Sequence, residues 1–246
     1  MADPDPSSAK KLALLIDADN IRSTFLPIII REASAIGTIV IKRVYGHFAS
    51  PSTAGWEKLL PEYALTPVHV PPAATGKNAT DMKLAIEAMD MLHQRHLDGI
   101  CIASSDSDFT TLASRIREDG LLVLGFGEKK ATNAYVRACD RFFYCDLLLD
   151  QEKPQKPSKK ERPNIPEKEI LSAVDDASGE DGWTSLGRIG STLNTRMPDF
   201  DPRNYGFRKL MDLVAEIGGL EQRQEKNDNR TSVWVRRRVP AAIKKG

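Results

Sequence analysis

Acidic side chains lie at three separate places in the sequence, in positions that favour a metal site. Asp17 closes the apolar run LALLID, and Asp106 and Asp108 follow the apolar run GICIA. Asp81 ends the segment GKNATD, in the first turn of a predicted helix. One aspartate at such a place is common because its carboxylate can cap a helix. Several acids near one edge repel each other unless a cation or a shared proton neutralises them.

A set of carboxylates restricts which metal ion binds and which reactions that ion supports. Oxygen ligands favour Mg²⁺ or Mn²⁺, with waters completing the coordination shell. Such an ion activates water and polarises a phosphoryl oxygen, so the four acids predict nuclease or phosphatase chemistry. Asn20 is expected to face the same cleft as a neutral ligand or a donor to the substrate. Asp19 is the weakest candidate, because alternation along the strand would turn it away from Asp17.

The elements that must position these acids alternate along the first 148 residues. Apolar and β-branched runs predict five strands, at 12–17, 38–46, 66–71, 98–104 and 121–127. Helical spacing of apolar residues over 79–95 and 108–118 predicts helices between strands. This alternation indicates a parallel sheet covered on both faces. Ligands of such sheets bind at the carboxyl ends of the strands near the switch point in strand order, where these acids are expected.

The composition changes after residue 149. Residues 150–164 are rich in proline and lysine and lack large apolar side chains, which predicts a basic, flexible linker. Residues 165–240 predict a small winged-helix domain, with three helices followed by a strand hairpin around an Asn-Asp-Asn turn. The predicted helices cover 166–178, 184–194 and 201–218. Asp201 is expected to cap the third helix and Gly218 to end it.

Composition and charge restrict the class of protein that this sequence encodes. The 246 residues carry a net charge of +1, divided into −3 over residues 1–150 and +4 over residues 151–246. The three cysteines form no C-x-x-C pair and predict reduced, buried thiols of a cytoplasmic protein.

The acidic, proline-containing start, residues 1–10, predicts a disordered tail. The apolar run at 25–30 is too short to cross a bilayer, so no membrane partner is predicted. The sequence leaves the oligomeric state open.

Four motifs resemble the NYN domain of LabA-like proteins, a family of the PIN-like ribonuclease superfamily. They are LLIDADN, GKNATDMKLAIEAMD, SSDSDF and REDGLLVLGFGEKKATNAYVRACDRFFY, in that order. The resemblance implies a PIN-like three-layer α/β sandwich with a central parallel sheet over residues 11–149. It also implies a divalent-metal ribonuclease site, with all four acids as metal ligands. The catalytic positions carried over are Asp17, Asn20, Asp81, Asp106 and Asp108.

The C-terminal part resembles the LOTUS (OST-HTH) winged-helix domain, through WTSLGRIGSTLNTRMPDFDPRNYGFRKLMDLV. That family is associated with binding to RNA or to protein partners. The predicted RNA contacts are Lys77, Asn78, Arg203, Arg208, Lys209, Arg236, Arg237 and Arg238. For any single arginine among them, a solvated surface residue is the alternative interpretation. Contacts to phosphate release counterions, so binding is expected to weaken steeply with salt.

Two other functions stay open at this point. The D-x-D pair Asp17 and Asp19 also matches haloacid-dehalogenase-like phosphatases, in which the first aspartate is a nucleophile and the second a general acid. Asn20 and the segment GKNATD fit the NYN pattern better. Alternatively, the NYN domain is a catalytically silent module that binds RNA or protein. Ser104 and Ser105 lack a placed histidine, so no catalytic triad is predicted.

Overall fold

A computed structural model of the chain describes residues 9–71, 78–93, 97–152, 164–227 and 230–238. The chain divides into two compact units, Met1–Pro154 and Gln155–Gly246, and each is described by itself. Within the described residues, no helix is long and apolar enough to span a membrane.

The first unit is built around a six-stranded parallel sheet. Its strands are β1 Lys11–Asp17, β2 Thr38–Gly46, β3 Thr66–His69, β4 Gly99–Ala103, β5 Leu122–Gly127 and β6 Arg141–Tyr144. The spatial order is β3-β2-β1-β4-β5-β6, and every neighbouring pair is parallel. The five predicted strands are confirmed, and β6 is an addition. The order reverses between β1 and β4, so the switch point lies between the two strands that precede the acids.

Helices cover both faces of this sheet and complete three layers. They are α1 Leu26–Ser34, α2 Leu59–Glu62, α3 Ala79–His93, α4 Phe109–Glu118, α5 Asn133–Ala138 and α6 Cys145–Glu152. Alternate residues of β1 enter two different cores, because successive side chains of a strand point to opposite faces. Leu14 and Ile16 pack on the side of α1 and α6, and Ala13 and Leu15 on the side of α3 and α4. This is the predicted α/β sandwich.

Several element boundaries differ from the sequence-based ones. The helix predicted over 79–95 is described as far as His93, and residues 94–96 lie outside the described residues. Helix α6 continues through Glu152, three residues into the predicted linker. The carbonyl of Lys10 accepts the N–H of Thr38 at 2.7 Å, so the last residue of the predicted tail is held against the sheet. The cysteines are buried free thiols, as predicted.

The second unit is a winged helix with its own hydrophobic core. Its elements are α7 Glu167–Ala177, β7 Thr184–Ser185, α8 Leu186–Arg196, a 3₁₀ helix Pro202–Tyr205, α9 Leu210–Ala215, β8 Leu220–Asn227 and β9 Arg230–Arg237. The strands form an antiparallel sheet in the order β7-β9-β8. Val174, Ile189, Leu193, Leu213 and Val235 are among the buried residues that pack between the helices and this sheet.

The single third helix predicted over 201–218 is wrong. Asp201 does cap a helix start, since its Oδ1 accepts the N–H of Arg203 at 2.9 Å, but the element it caps is the short 3₁₀ helix. Gly206 then adopts a φ of +84° in the left-handed region. That conformation ends a helix, and the chain starts again as α9, which ends at Ala215 rather than at Gly218.

Candidate metal centre

Three carboxylates converge beyond the carboxyl ends of the central strands. Asp81 lies in the first turn of α3, and Asp106 and Asp108 lie in the loop that joins β4 to α4. One ligand oxygen from each lies within 4.8 Å of the other two. Each side chain comes from a segment that the parallel sheet brings to the same edge, so the fold brings three of the four predicted acids together.

The loop after β4 is fixed by one hydrogen bond within it and by one from Asn78, which precedes α3. The Oδ1 atom of Asp106 accepts the N–H of Asp108 at 2.9 Å, and the Oδ2 atom of Asp108 accepts the amide Nδ2 of Asn78 at 3.1 Å. Asp108 occupies the N-cap position of α4, yet its side chain makes no capping hydrogen bond. Helix capping, the structural alternative for this residue, therefore does not explain its presence.

Asp81 carries the electrostatic cost of this arrangement. Burial and the negative charges of Asp17, Asp106 and Asp108 raise the pKa of Asp81 to about 6. None of the described residues donates a hydrogen bond to its carboxylate. Like charges that are crowded in this way disfavour the ionised form unless a cation is present. The donor set consists of oxygens alone, which fits a hard divalent cation such as Mg²⁺ or Mn²⁺.

Asp17 is fully buried beneath the cluster and is not a member of it. Its Oδ1 accepts the backbone N–H groups of Asp19 and Asn20 at 3.1 and 3.2 Å. Its Oδ2 accepts the amide Nδ2 of Asn20 and the hydroxyl of Ser104, both at 2.8 Å. Burial raises the pKa of Asp17, and these hydrogen bonds oppose that shift by stabilising the anion. Asp17 therefore fixes the loops around the site.

The two remaining residues of the first motif also face protein groups. The side-chain amide of Asn20 is directed at Asp17 rather than into the three-carboxylate cluster. The Oδ2 atom of Asp19 accepts the hydroxyl of Thr80 at 2.8 Å, which ties the loop after β1 to the first turn of α3. Direct metal contacts by Asp17 and Asn20 stay predictions.

The chain matches two known domain families. The NYN domain family matches residues 11–149, and the OST-HTH/LOTUS domain family matches residues 161–231. This chain belongs to the NYN domain family. Its C-terminal unit is an OST-HTH/LOTUS domain, so the architecture is an NYN domain followed by a LOTUS domain.

No curated protein matches this chain. Among solved structures, a protein of unknown function from Vibrio parahaemolyticus is 18% identical, with a TM-score of 0.48 over 55% of this chain and 93% of its own. An uncharacterized protein from Nitrosomonas europaea is 30% identical over 36% of this chain and 89% of its own, with a TM-score of 0.31. A protein from Chromobacterium violaceum is 26% identical over 37% of this chain and 100% of its own, with a TM-score of 0.26.

Sequence reasoning missed the hydroxyl groups that organise the NYN site. The Oγ atom of Ser104 donates to Asp17 and accepts the N–H of Asp106 at 3.1 Å. It therefore connects the buried Asp17 to the loop between β4 and α4. The Oγ atom of Ser105 accepts the N–H of Glu128 at 2.9 Å and connects the same loop to the residue that follows β5. Their only sequence signal is a place directly after a buried strand, which many structural serines share.

The predicted RNA contacts lie in varied surroundings. Lys77 lies outside the described residues, and Asn78 holds Asp108. In the LOTUS domain, Arg208, Lys209 and Arg238 are exposed. The other three predicted arginines contact carboxylates of their own domain, in the pairs Arg203–Asp201, Arg236–Glu221 and Arg237–Asp175. Of the predicted third-helix contacts, Arg203 lies in the 3₁₀ helix and the other two precede α9.

Proposed function

We propose that this protein is a ribonuclease that depends on Mg²⁺ or Mn²⁺, and that its LOTUS domain holds the RNA. The observation that carries the proposal is the convergence of Asp81, Asp106 and Asp108 within 4.8 Å at the switch point of the NYN sheet. These three side chains would hold the ion. When bound, a divalent ion polarises a phosphoryl oxygen and makes water a better nucleophile.

The surrounding residues prepare the site for a cation. Asp17 acts as a positioning residue, because its four hydrogen bonds hold the loop after β1 and, through Ser104, the loop that carries Asp106. The negative charge of Asp17 also raises the pKa of Asp81, so it adds to the potential that attracts a cation. Asn78 orients Asp108 by donating to its Oδ2 atom.

Burial of Asp17 favours a nuclease over a haloacid-dehalogenase-like phosphatase. In that phosphatase chemistry, an oxygen of the first aspartate attacks the substrate phosphorus directly. Here the Asp17 side chain is 0% exposed, and both of its oxygens already accept two hydrogen bonds each. An attack by this carboxylate would require the loops on both sides of it to open.

A catalytically silent NYN domain that only binds RNA or protein is the remaining alternative. Such a module has no use for an acidic cluster that raises the pKa of Asp81, since this crowding destabilises the ionised site without a cation. The cluster therefore favours the enzyme, with LOTUS as the domain that selects the RNA.

The test compares substrates and metals in one experiment. Purified protein is incubated with single-stranded RNA and, in parallel, with p-nitrophenyl phosphate, each with Mn²⁺, with Mg²⁺ or with EDTA. We expect the protein to cleave RNA but not p-nitrophenyl phosphate, and to do so only when Mn²⁺ or Mg²⁺ is present. The variant Asp106→Asn should not cleave RNA. Asp119→Asn is the matched control, because it removes one aspartate charge at the other end of α4. Metal-independent cleavage, or full activity of Asp106→Asn, would overturn the proposal, as would hydrolysis of the phosphate ester.

A further inference from the structure

Two of the three tryptophans lie outside the cores of the protein. Trp56 is fully buried in the core of the NYN domain. Trp183, directly before β7, and Trp234, in β9, lie at the sheet of the LOTUS domain, are half-buried, and do not take part in the described core of that domain. Large aromatic residues usually fill cores, so their position on this sheet requires another explanation.

Contacts on the two sides of β8 and β9 show which face these tryptophans occupy. Gln222 and Gln224 donate to the carbonyl oxygen and the sulfur of Met211 in α9, and Val235 is buried in the core. The opposite face of a strand carries the alternate residues. Therefore Arg223 and Trp234, which are paired across the strands, point away from the helices.

The exposed side of the sheet carries alternating indole and guanidinium planes. The guanidinium carbon of Arg223 lies 4.3 Å from the ring centroid of Trp183 and 5.9 Å from that of Trp234. The guanidinium carbon of Arg236 lies 4.6 Å from the ring of Trp183. We call these four residues, Trp183, Arg223, Trp234 and Arg236, the Trp–Arg face.

Carboxylates balance the charge of the Trp–Arg face. Arg236 forms an ion pair with Glu221, and Arg223 forms one with Glu225 at 3.1 Å. The attraction of this surface for phosphate is therefore weak. Its guanidinium groups remain accessible, since the side chains of Arg223 and Arg236 are 45% and 38% exposed, and the two indole rings beside them are half-buried. A surface of this kind recognises flat, polarisable groups rather than charge alone.

We propose that the Trp–Arg face binds unpaired bases of single-stranded RNA. The proposal rests on the ribonuclease function for its substrate class, and it assigns residues other than the arginines around α9. Single-stranded RNA is bound by stacking of its bases on aromatic rings and on arginine guanidinium planes. Guanidinium groups lie over the Trp183 ring here, so the surface presents stacked cationic and aromatic groups, the chemistry that recognises bases.

The charge balance distinguishes this binding mode from phosphate binding. Contacts to phosphate lose affinity steeply as salt rises, because each neutralised phosphate releases counterions. Stacking on the Trp–Arg face involves guanidinium groups that Glu221 and Glu225 already neutralise. The affinity of this site should therefore depend on the bases and change only slightly with salt.

The experiment follows tryptophan fluorescence of the full chain in EDTA, so that RNA is bound without metal-dependent cleavage. The probe is an adenosine oligonucleotide of roughly a dozen residues, compared with an abasic oligonucleotide of the same length. Buried Trp56 is shielded, so quenching reports Trp183 and Trp234. We expect quenching by the adenosine oligonucleotide and binding of the abasic one that is at least about fivefold weaker.

Variants separate recognition from folding. Trp183→Ala should weaken binding at least about fivefold, and Trp183→Phe should retain most of it, because phenylalanine keeps a stacking surface. Arg236→Gln and Arg196→Gln form the matched pair: Arg236 lies on β9 and Arg196 at the end of α8, each is paired with one carboxylate of the LOTUS domain, and their side chains are 38% and 42% exposed. Only Arg236→Gln should weaken binding. Thermal melting checks that each variant is folded.

Equal affinity for the abasic oligonucleotide, equal effects of Arg236→Gln and Arg196→Gln, or binding without quenching would overturn the Trp–Arg proposal. Cleavage of RNA with Mn²⁺ is measured on the same preparations. Cleavage by a protein that shows no quenching overturns the Trp–Arg face and leaves the nuclease. Quenching without any cleavage supports the face and overturns the nuclease.

Discussion

Replacing Asp17 with asparagine and replacing Asp81 with asparagine should change the stability of the protein in opposite directions. Asp17 accepts four hydrogen bonds in a buried position, so Asp17→Asn places an amide N–H against donors. This change should lower the free energy of unfolding by about 1–3 kcal/mol and remove most cleavage. Asp81→Asn should instead stabilise the metal-free protein, because it removes like-charge repulsion. Urea unfolding in EDTA measures both changes, and stabilisation by Asp17→Asn would contradict a positioning role.

The raised pKa of Asp81 predicts how stability changes with pH. A pKa of about 6 in the folded protein, above the ordinary value of 3.8, means that folding favours the protonated form. The metal-free protein therefore gains stability from this group as pH falls and loses it as pH rises through about 6. Asp81 is partly exposed, so we expect only on the order of 1 kcal/mol between neutral and mildly acidic pH. Unfolding curves of wild type and Asp81→Asn with the same pH dependence would refute this.

At the scale of elements, the sequence predicts strands and helices well, but it predicts poorly where a turn divides one element from the next. Apolar runs bounded by turn residues identified five strands, whereas RFFY in β6 was missed because α6 begins at the next residue and no turn marks its end. Helical spacing continued across Gly206, but its left-handed backbone divides the predicted helix. The acids were placed at the correct edge because parallel strands end together. Their spacing did not indicate that Asp17 lies beneath the cluster, since that depends on how the loop at Asn20 folds back.

The break at Gly206 makes a prediction about the LOTUS domain. No atom lies within 4 Å of a Cβ added at Gly206 or at Gly187, so a methyl group fits at both places. Gly206 has a φ of +84°, and Gly206→Ala should destabilise the protein by about 1 kcal/mol through backbone strain alone. Gly187 lies in α8, and Gly187→Ala should stabilise by about 0.5–1 kcal/mol. Urea unfolding compares the two, and equal effects would contradict the strain argument.

For the whole molecule, the two compact units suggest a division of labour. The acidic cluster belongs to the first unit, and the Trp–Arg face to the second. Linking a binding domain to an enzyme raises the local concentration of substrate without changing the chemistry. A chain cut near residue 157 should therefore cleave saturating RNA at the intact rate but need more RNA to reach it. Cleavage rates over a range of RNA concentrations measure this, and a lower rate at saturation would show that the second unit takes part in the chemistry.

Binding of Mn²⁺ tests the central claim most directly. The three converging carboxylates predict saturable binding to the full chain, which electron paramagnetic resonance detects as a loss of the signal of free Mn²⁺. Asp106→Asn should weaken this binding by at least about tenfold and abolish RNA cleavage in parallel, whereas Asp119→Asn should match wild type in both. If wild-type protein does not bind Mn²⁺, or if Asp106→Asn binds it equally well, the carboxylate cluster is not a metal centre.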